Sequence, residues 1–335
     1  MNANRSHQMT RRQWLTTGVL GGAAILSGAG LLHTWQRHRR SAVAIVKASN
    51  YLLPLEKLIV RGLLELGIDA ATVKDKRILL KPNLVEVDSS APHVNTHPAL
   101  VRAAVTAFRR LGAASVIVAE GSGHCLDTLL VFEESGLREV LATDRTAFVD
   151  LNYQDPWLVK NRTRFSTLPR LAFPRIFRET DWIVSMPKMK THHWAGVTLS
   201  MKNLFGVMPG SYYGWPKNVL HQAGLNECIA DIALNLRPQL AIVDGIVGME
   251  GDGPIMGDPV DAGVIVMGTD LPAVDATCAR IMDVDPARVQ HLHMAGKEGF
   301  AIDEARITQV GESIESVRRP FRLLPHIAAQ QNLRS

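Results

Sequence analysis

Lys188, Lys190 and His192 stand two residues apart in Pro187-Lys188-Met189-Lys190-Thr191-His192-His193, and ten residues on come Lys202 and Asn203. In an extended segment alternate side chains face the same way, so this spacing sets two ammonium groups and an imidazole on one face. Crowded lysines disfavour each other's protonation and become bases, nucleophiles or anion clamps. An imidazole titrates near working pH and suits general acid or base catalysis. His192, Lys188 and Lys202 are therefore the expected catalytic residues. The chain holds eleven lysines against twenty-six arginines; three of the eleven fall within residues 188–202, and Lys81 and Lys217 sit in neighbouring motifs. An arginine-biased chain that puts lysine here is using the ammonium as such. A solvated basic loop is the alternative, but Met186, Met189, Trp194 and Val197 interleave the cations and argue against full exposure.

Other polar groups recur beside Pro or Gly: Lys81-Pro82-Asn83, His97-Pro98, Glu120-Gly121-Ser122-Gly123-His124, Asp244-Gly245 and Met249-Glu250-Gly251-Asp252-Gly253-Pro254. Lys81, Asn83, His97, Glu120, Lys190, Asn203, His221, Asp244 and Glu250 are expected to bind substrate or cofactor. Asn83 and Asn203 would orient it by hydrogen bonding, while Asp244 and Glu250 would balance charge or hold a metal. Gly121-Ser122-Gly123 begins like a dinucleotide fingerprint, yet Leu126 stands where its third glycine belongs, which disfavours nicotinamide. A backbone nest for phosphate or carboxylate is the milder reading. No HExxH pattern occurs, and metal ligands stay unassigned. His291 and His293, two apart on a helical stretch, cannot share a face and read as structural. Cys125, Cys228 and Cys278 form no CxxC pair, so no iron–sulfur cluster is expected from this chain alone, and the cofactor is unknown.

Strands and helices must bring these groups together. Apolar β-branched runs at 42–48, 77–80, 115–119, 147–151, 182–186, 240–243, 264–267 and 306–310 read as strands. Helical periodicity covers 55–66, 98–111, 126–142, 218–236, 273–282 and 286–295, with Asp285 and Pro286 opening the last. The alternation predicts an α/β fold: a mainly parallel sheet with helices on both faces, one compact domain over 41–320, and a C-terminal tail at 321–335. Such sheets bind ligands at the carboxyl ends of their strands, where the polar motifs fall.

The chain has 335 residues, 46% of them hydrophobic and 21% charged, which excludes a disordered chain, a fibre and a multi-span membrane protein. Its net charge of +5 belongs to the N-terminus: residues 1–40 hold six arginines and no acid, leaving 31 basic against 32 acidic residues in the body. A neutral body with 6% aromatics carries no nucleic-acid footprint. Thr10-Arg11-Arg12-Gln13-Trp14-Leu15 is a twin-arginine pattern, followed by a weakly apolar stretch with five glycines. This is an address for the twin-arginine export machinery, a route for already folded proteins. Residues 16–35, if not removed, are long enough to anchor the protein at the outer face of the inner membrane; otherwise it is periplasmic.

Lys81-Pro82-Asn83-Leu84, His97-Pro98, Lys188-x-Lys190-Thr191-His192, Leu199-Ser200-x-Lys202-Asn203-Leu204-Phe205-Gly206 and Gly248-Met249-Glu250-Gly251-x-Gly253-Pro254 together resemble family 362 of the domains of unknown function, from about residue 42 to 300. Many members carry ferredoxin-type cysteine clusters, which implies redox roles for them; this chain lacks those clusters. The order of segments is also similar to nickel-dependent lactate racemase, whose site uses lysine and histidines beside a nucleotide-derived cofactor, though no residue is carried over. The function expected is an exported enzyme acting on a small anionic ligand. The alternatives are a non-catalytic periplasmic ligand or metal carrier and a redox accessory to an iron–sulfur partner.

Overall fold

Alternate strand residues go to opposite cores. Val43 and Ile45 pack on one side of the sheet and Ala44 and Val46 on the other; Leu79 is separated in the same way from Ile78 and Leu80. This two-sided burial is what the unbroken apolar runs require. The computed structural model describes residues 40–123 and 127–334. The twin-arginine segment, the residue 16–35 stretch, His124, Cys125 and Leu126 lie outside them.

The strands are β1 (Ser41–Lys47), β2 (Arg77–Pro82), β3 (Ser115–Glu120), β4 (Phe148–Asp150), β5 (Pro156–Lys160), β6 (Arg170–Pro174), β7 (Trp182–Met186), β8 (Lys188–His192), β9 (Gly196–Thr198), β10 (Leu240–Glu250), β11 (Asp258–Val260), β12 (Val264–Gly268) and β13 (Ile307–Gly311). The main sheet runs β13-β1-β12-β10-β7-β2-β3-β4. Neighbours are parallel except β12, which opposes both β1 and β10. The helices Leu55–Glu65 and Pro98–Arg110 cover one face through Ile59, Leu63, Leu100 and Ala104. The helices Leu225–Leu236 and Leu271–Ile281 cover the other through Ile229, Ile232, Val274 and Cys278. The result is a single compact α/β domain with a mixed, mostly parallel sheet.

Several elements differ from expectation. The helix read over 126–142 is two, Thr128–Glu134 and Leu137–Thr143, joined through Gly136 at φ +78°. The helix read over 218–236 breaks at Gly224, φ +104°, into Asn218–Gln222 and Leu225–Leu236. Only glycine takes that backbone conformation without strain, so each glycine turns the chain between two helices. Residues 286–295 split into a 3-10 turn at Pro286–Arg288, capped by Asp285, and the helix Gln290–Lys297. The irregular stretch 153–180 contains the antiparallel hairpin β5–β6. β10 runs on to Glu250 where a loop was expected, because β8 and β11 pair with its second half. Residues beyond 320 pack onto the body: Phe321, Ile327 and Leu333 are buried, and Gln330 Nε2 donates to the Gly251 carbonyl at 2.8 Å. Among the described residues no helix is long and apolar enough to cross a membrane.

Candidate functional site

Three parallel strands end side by side, and each delivers a charged or polar group. Lys81 is the penultimate residue of β2, with Asn83 just beyond; Glu120 closes β3; β7 stops at Pro187 and the chain resumes as β8 alongside β10. The turn after β8 leads through β9 to a short helix, Ser200–Asn203, that carries Lys202 and Asn203. That helix starts where it does because buried Asp275 accepts from Ser200 N (2.7 Å), Ser200 Oγ (2.5 Å) and Met201 N (2.9 Å). Burial pushes the Asp275 carboxyl up to about 7 against those hydrogen bonds.

These ends enclose a cavity of about 470 Å³, lined by Lys81, Asn83, Glu120, His192, Lys202, Asn203, Lys217 and His221 among others. Its charges are three lysines against one carboxylate. Lys81 Nζ is held by Glu120 Oε2 at 2.7 Å and Asn203 Oδ1 at 2.8 Å; Glu120 also accepts from the backbone of Leu84 and Gly121. Burial lowers the Lys81 pKa, with Glu120 opposing. Lys217 donates to the carbonyls of Gly121 (2.7 Å) and Gly206 (2.9 Å), and burial lowers it to about 7. The buried lysine ion pairs among the described residues are Lys81–Glu120 and Lys188–Asp244; Lys202 forms none. Its ammonium lies 4.6 Å from the centroid of the Phe205 ring, and burial and then the Lys81 charge lower it to about 8.

His192 Nδ1 accepts from Trp194 N (3.0 Å) and Ala195 N (3.2 Å), which leaves the ring proton on Nε2. Burial, then Lys202, holds this imidazole well below its ordinary range, so it is neutral and a donor through Nε2. Asn83 Oδ1 and Thr198 Oγ1 are buried on the same cavity without a hydrogen-bond partner among the described residues. Buried polar atoms of that kind are costly unless something meets them.

Not every expected residue joins. Lys188 and Asp244, expected in the site, are off the cavity lining and form a separate buried group. The register of β8 on β10 sets Lys188 opposite Asp244, and the two close to 2.6 Å. Tyr51 OH donates to Asp244 Oδ1 and accepts from Lys188 Nζ, both at 2.9 Å. His97 belongs to this group, stacked on Tyr51 at 3.7 Å with its backbone N–H donating to Asp244. Its Nδ1 caps the helix Pro98–Arg110, and burial lowers its pKa to about 4. Lys190 is fully buried between the two groups and donates to the Pro254 carbonyl at 3.1 Å. Burial and the charges of Lys188, Lys202 and Lys81 drive it well below the lysine range. Glu250 lies elsewhere, at a surface pocket with Arg319 and Arg322, where it accepts from Arg322 N at 2.8 Å. His221 lines the cavity with Nδ1 donating to the Lys217 carbonyl. The expected list omits Lys217, Thr198, Trp194 and Phe205; lysine scarcity alone pointed to Lys217. No group of three or more His, Cys, Asp or Glu side chains among the described residues is arranged to hold a metal.

The molecule is thus an α/β protein with a lysine-rich cavity at the carboxyl edge of its sheet. The chain belongs to the family described as Domain of unknown function (DUF362), whose model matches residues 78–280. The thylakoid-associated protein sll1697 of Synechocystis sp. is 27% identical over 290 residues, 80% of this chain and 82% of its own length. Two solved structures are similar in part. The lactate racemase apoprotein of Thermoanaerobacterium thermosaccharolyticum matches 73% of this chain at 13% identity and a TM-score of 0.45. A Thermotoga maritima protein matches 67% at 14% identity and a TM-score of 0.39. The matched region spans 58% of each of those two chains.

Proposed function

We propose that the protein is an enzyme acting on a small organic anion held in the cavity, with Lys202 as the anion clamp and the neutral His192 imidazole as a hydrogen-bond donor through Nε2. The observation that carries this is the Lys202 ammonium, which lines the cavity with no carboxylate among the described residues paired to it. A carboxylate or phosphate against Lys202 would also reach a wall that already has an excess of ammonium groups. Such an anion favours the charged form of Lys202 and raises its pKa above about 8, so that the ammonium persists to higher pH. His192 Nε2–H donates to the ligand and does not add a further charge. Lys217, lowered to about 7, is the group on this wall best matched to take or give a proton at physiological pH.

The twin-arginine pattern and the thylakoid-associated relative support work at or beyond a membrane. Export by the twin-arginine route, to the periplasm or with residues 16–35 as an anchor, is part of the proposal.

Native mass spectrometry of protein from its own exported pool tests the reading, followed by calorimetric titration with acetate and inorganic phosphate. An anion should bind, and Lys202→Ala should weaken it about 10- to 100-fold, the loss of one charge-assisted hydrogen bond. Equal binding by both proteins contradicts the reading. Recovery of the native ligand unchanged after prolonged incubation would favour a carrier over an enzyme.

A further inference from the structure

We infer that the anion taken by this cavity has an apolar body: an amphiphilic organic acid whose charged head meets Lys202 and His192 and whose carbon skeleton lies against Trp194, Val85, Pro216 and Ile255. The inference rests on the anion reading above and adds the chemistry of the rest of the ligand. A cavity of about 470 Å³ is far larger than a carboxylate group needs and falls within the roughly 300–1,000 Å³ of sites for larger ligands. The lining is of two kinds. Its lysines, histidines and asparagines supply ammonium, imidazole and amide groups, while Val85, Trp194, Pro216 and Ile255 supply apolar surface. A bare inorganic ion would leave that apolar part wet.

The apolar lining is built rather than incidental. Trp194 remains 61% exposed although it is the largest type of side chain, so its indole is available to a ligand. Its backbone N–H donates to His192 Nδ1, which ties the indole's position to the imidazole that would donate to the head. Ile255 follows Pro254, and two hydrogen bonds fasten the backbone before it: Lys190 Nζ to the Pro254 carbonyl and His193 N to the Gly253 carbonyl. A Cβ on Gly253 would stand 2.1 Å from the Thr191 carbonyl oxygen, so only glycine lets this loop lie against β8. Buried Lys190 thereby acquires a purpose, as a positioning residue for the loop that carries Ile255.

The test is a titration series of acetate, butyrate, hexanoate and octanoate against the full chain, its Trp194→Ala and Ile255→Ala variants and Lys202→Ala, with flotation on phosphatidylglycerol–phosphatidylethanolamine vesicles alongside. Burying each methylene should tighten binding about fourfold. Trp194→Ala and Ile255→Ala should each cut that gain per methylene to below twofold, whereas Lys202→Ala should shift the whole series to weaker binding with its slope kept. A flat series that still depends on Lys202 overturns the amphiphile inference and leaves the anion reading standing. A series with no binding at all in the unsubstituted chain overturns both. A flat series together with flotation that Trp194→Ala abolishes assigns the apolar side chains to a bilayer and overturns the inference.

Discussion

Five buried or half-buried lysines surround the strand ends, and each is kept there by a different device. Among the described residues Lys81 has Glu120, Lys188 has Asp244 with Tyr51, Lys217 has three carbonyls, Lys190 has one, and Lys202 has the face of Phe205. Removing one member of a buried pair strands the other, at a cost of about 3–5 kcal/mol. Glu120→Ala should lose stability of that order in urea denaturation, because it also frees the N–H groups of Leu84 and Gly121. Lys202→Met should behave in the opposite sense. Its folded pKa of about 8 lies below the ordinary 10.5, so the unfolded chain binds its proton more tightly. Stability from this group therefore rises with pH between about 8 and 10.5, and that rise should be missing from the variant when the two unfolding curves are subtracted. Anion affinity should fall over the same window. Lysine scarcity made Lys81 and Lys202 legible as candidates. The fate of Lys188 was not legible, because Asp244 lies 56 residues away and meets it only through the pairing of β8 with β10.

At the level of elements, Ser200–Asn203 matters most, since four residues aim both Lys202 and Asn203. A helix this short has little stability of its own. Asp275, from the helix Leu271–Ile281, holds its first turn through three hydrogen bonds. Asp275→Ala should cost about 1–3 kcal/mol and leave donors unmet. It should also weaken acetate binding although Asp275 does not line the cavity, a combination that denaturation and calorimetry on the same samples would read. Gly253→Ala should have a more local effect: the loop must leave β8, and binding of the longer carboxylates should suffer more than that of acetate. The strands were readable from apolar runs because two-sided burial leaves a continuous signal. The breaks at Gly136 and Gly224 were hidden, since one glycine within a helical period does not say whether its φ will be positive. The extension of β10 to Glu250 was hidden too. Glycines at 245, 248, 251 and 253 look like a loop, yet at Gly245 and Gly248 a side chain would press on Met189 and Phe321, and the bare backbone is what allows that packing.

For the whole molecule, the α/β class followed from alternating strand and helix patterns, and the carboxyl edge was the right place to seek polar groups. What could not be read was the division of those groups into a cavity, a neighbouring Lys188–Asp244–Tyr51–His97 cluster and a remote Glu250, because each division depends on strand order and register. The proposed export belongs to the scale of the intact chain. Arg11→Lys together with Arg12→Lys should leave the protein in the unexported fraction on cell fractionation, and full export of the double variant would remove the signal from the proposal.

If the cavity lysines, Lys202 above all, form an anion site, their protonation must respond to an anion. With only eleven lysines in the chain, side-chain carbon NMR of isotope-labelled lysine can follow each ammonium through a pH titration. Lys202→Arg identifies the resonance. An anion site predicts that Lys202 titrates near 8 in the free protein and that butyrate raises its midpoint. A Lys202 resonance that titrates near 10.5, unmoved by butyrate, would contradict it.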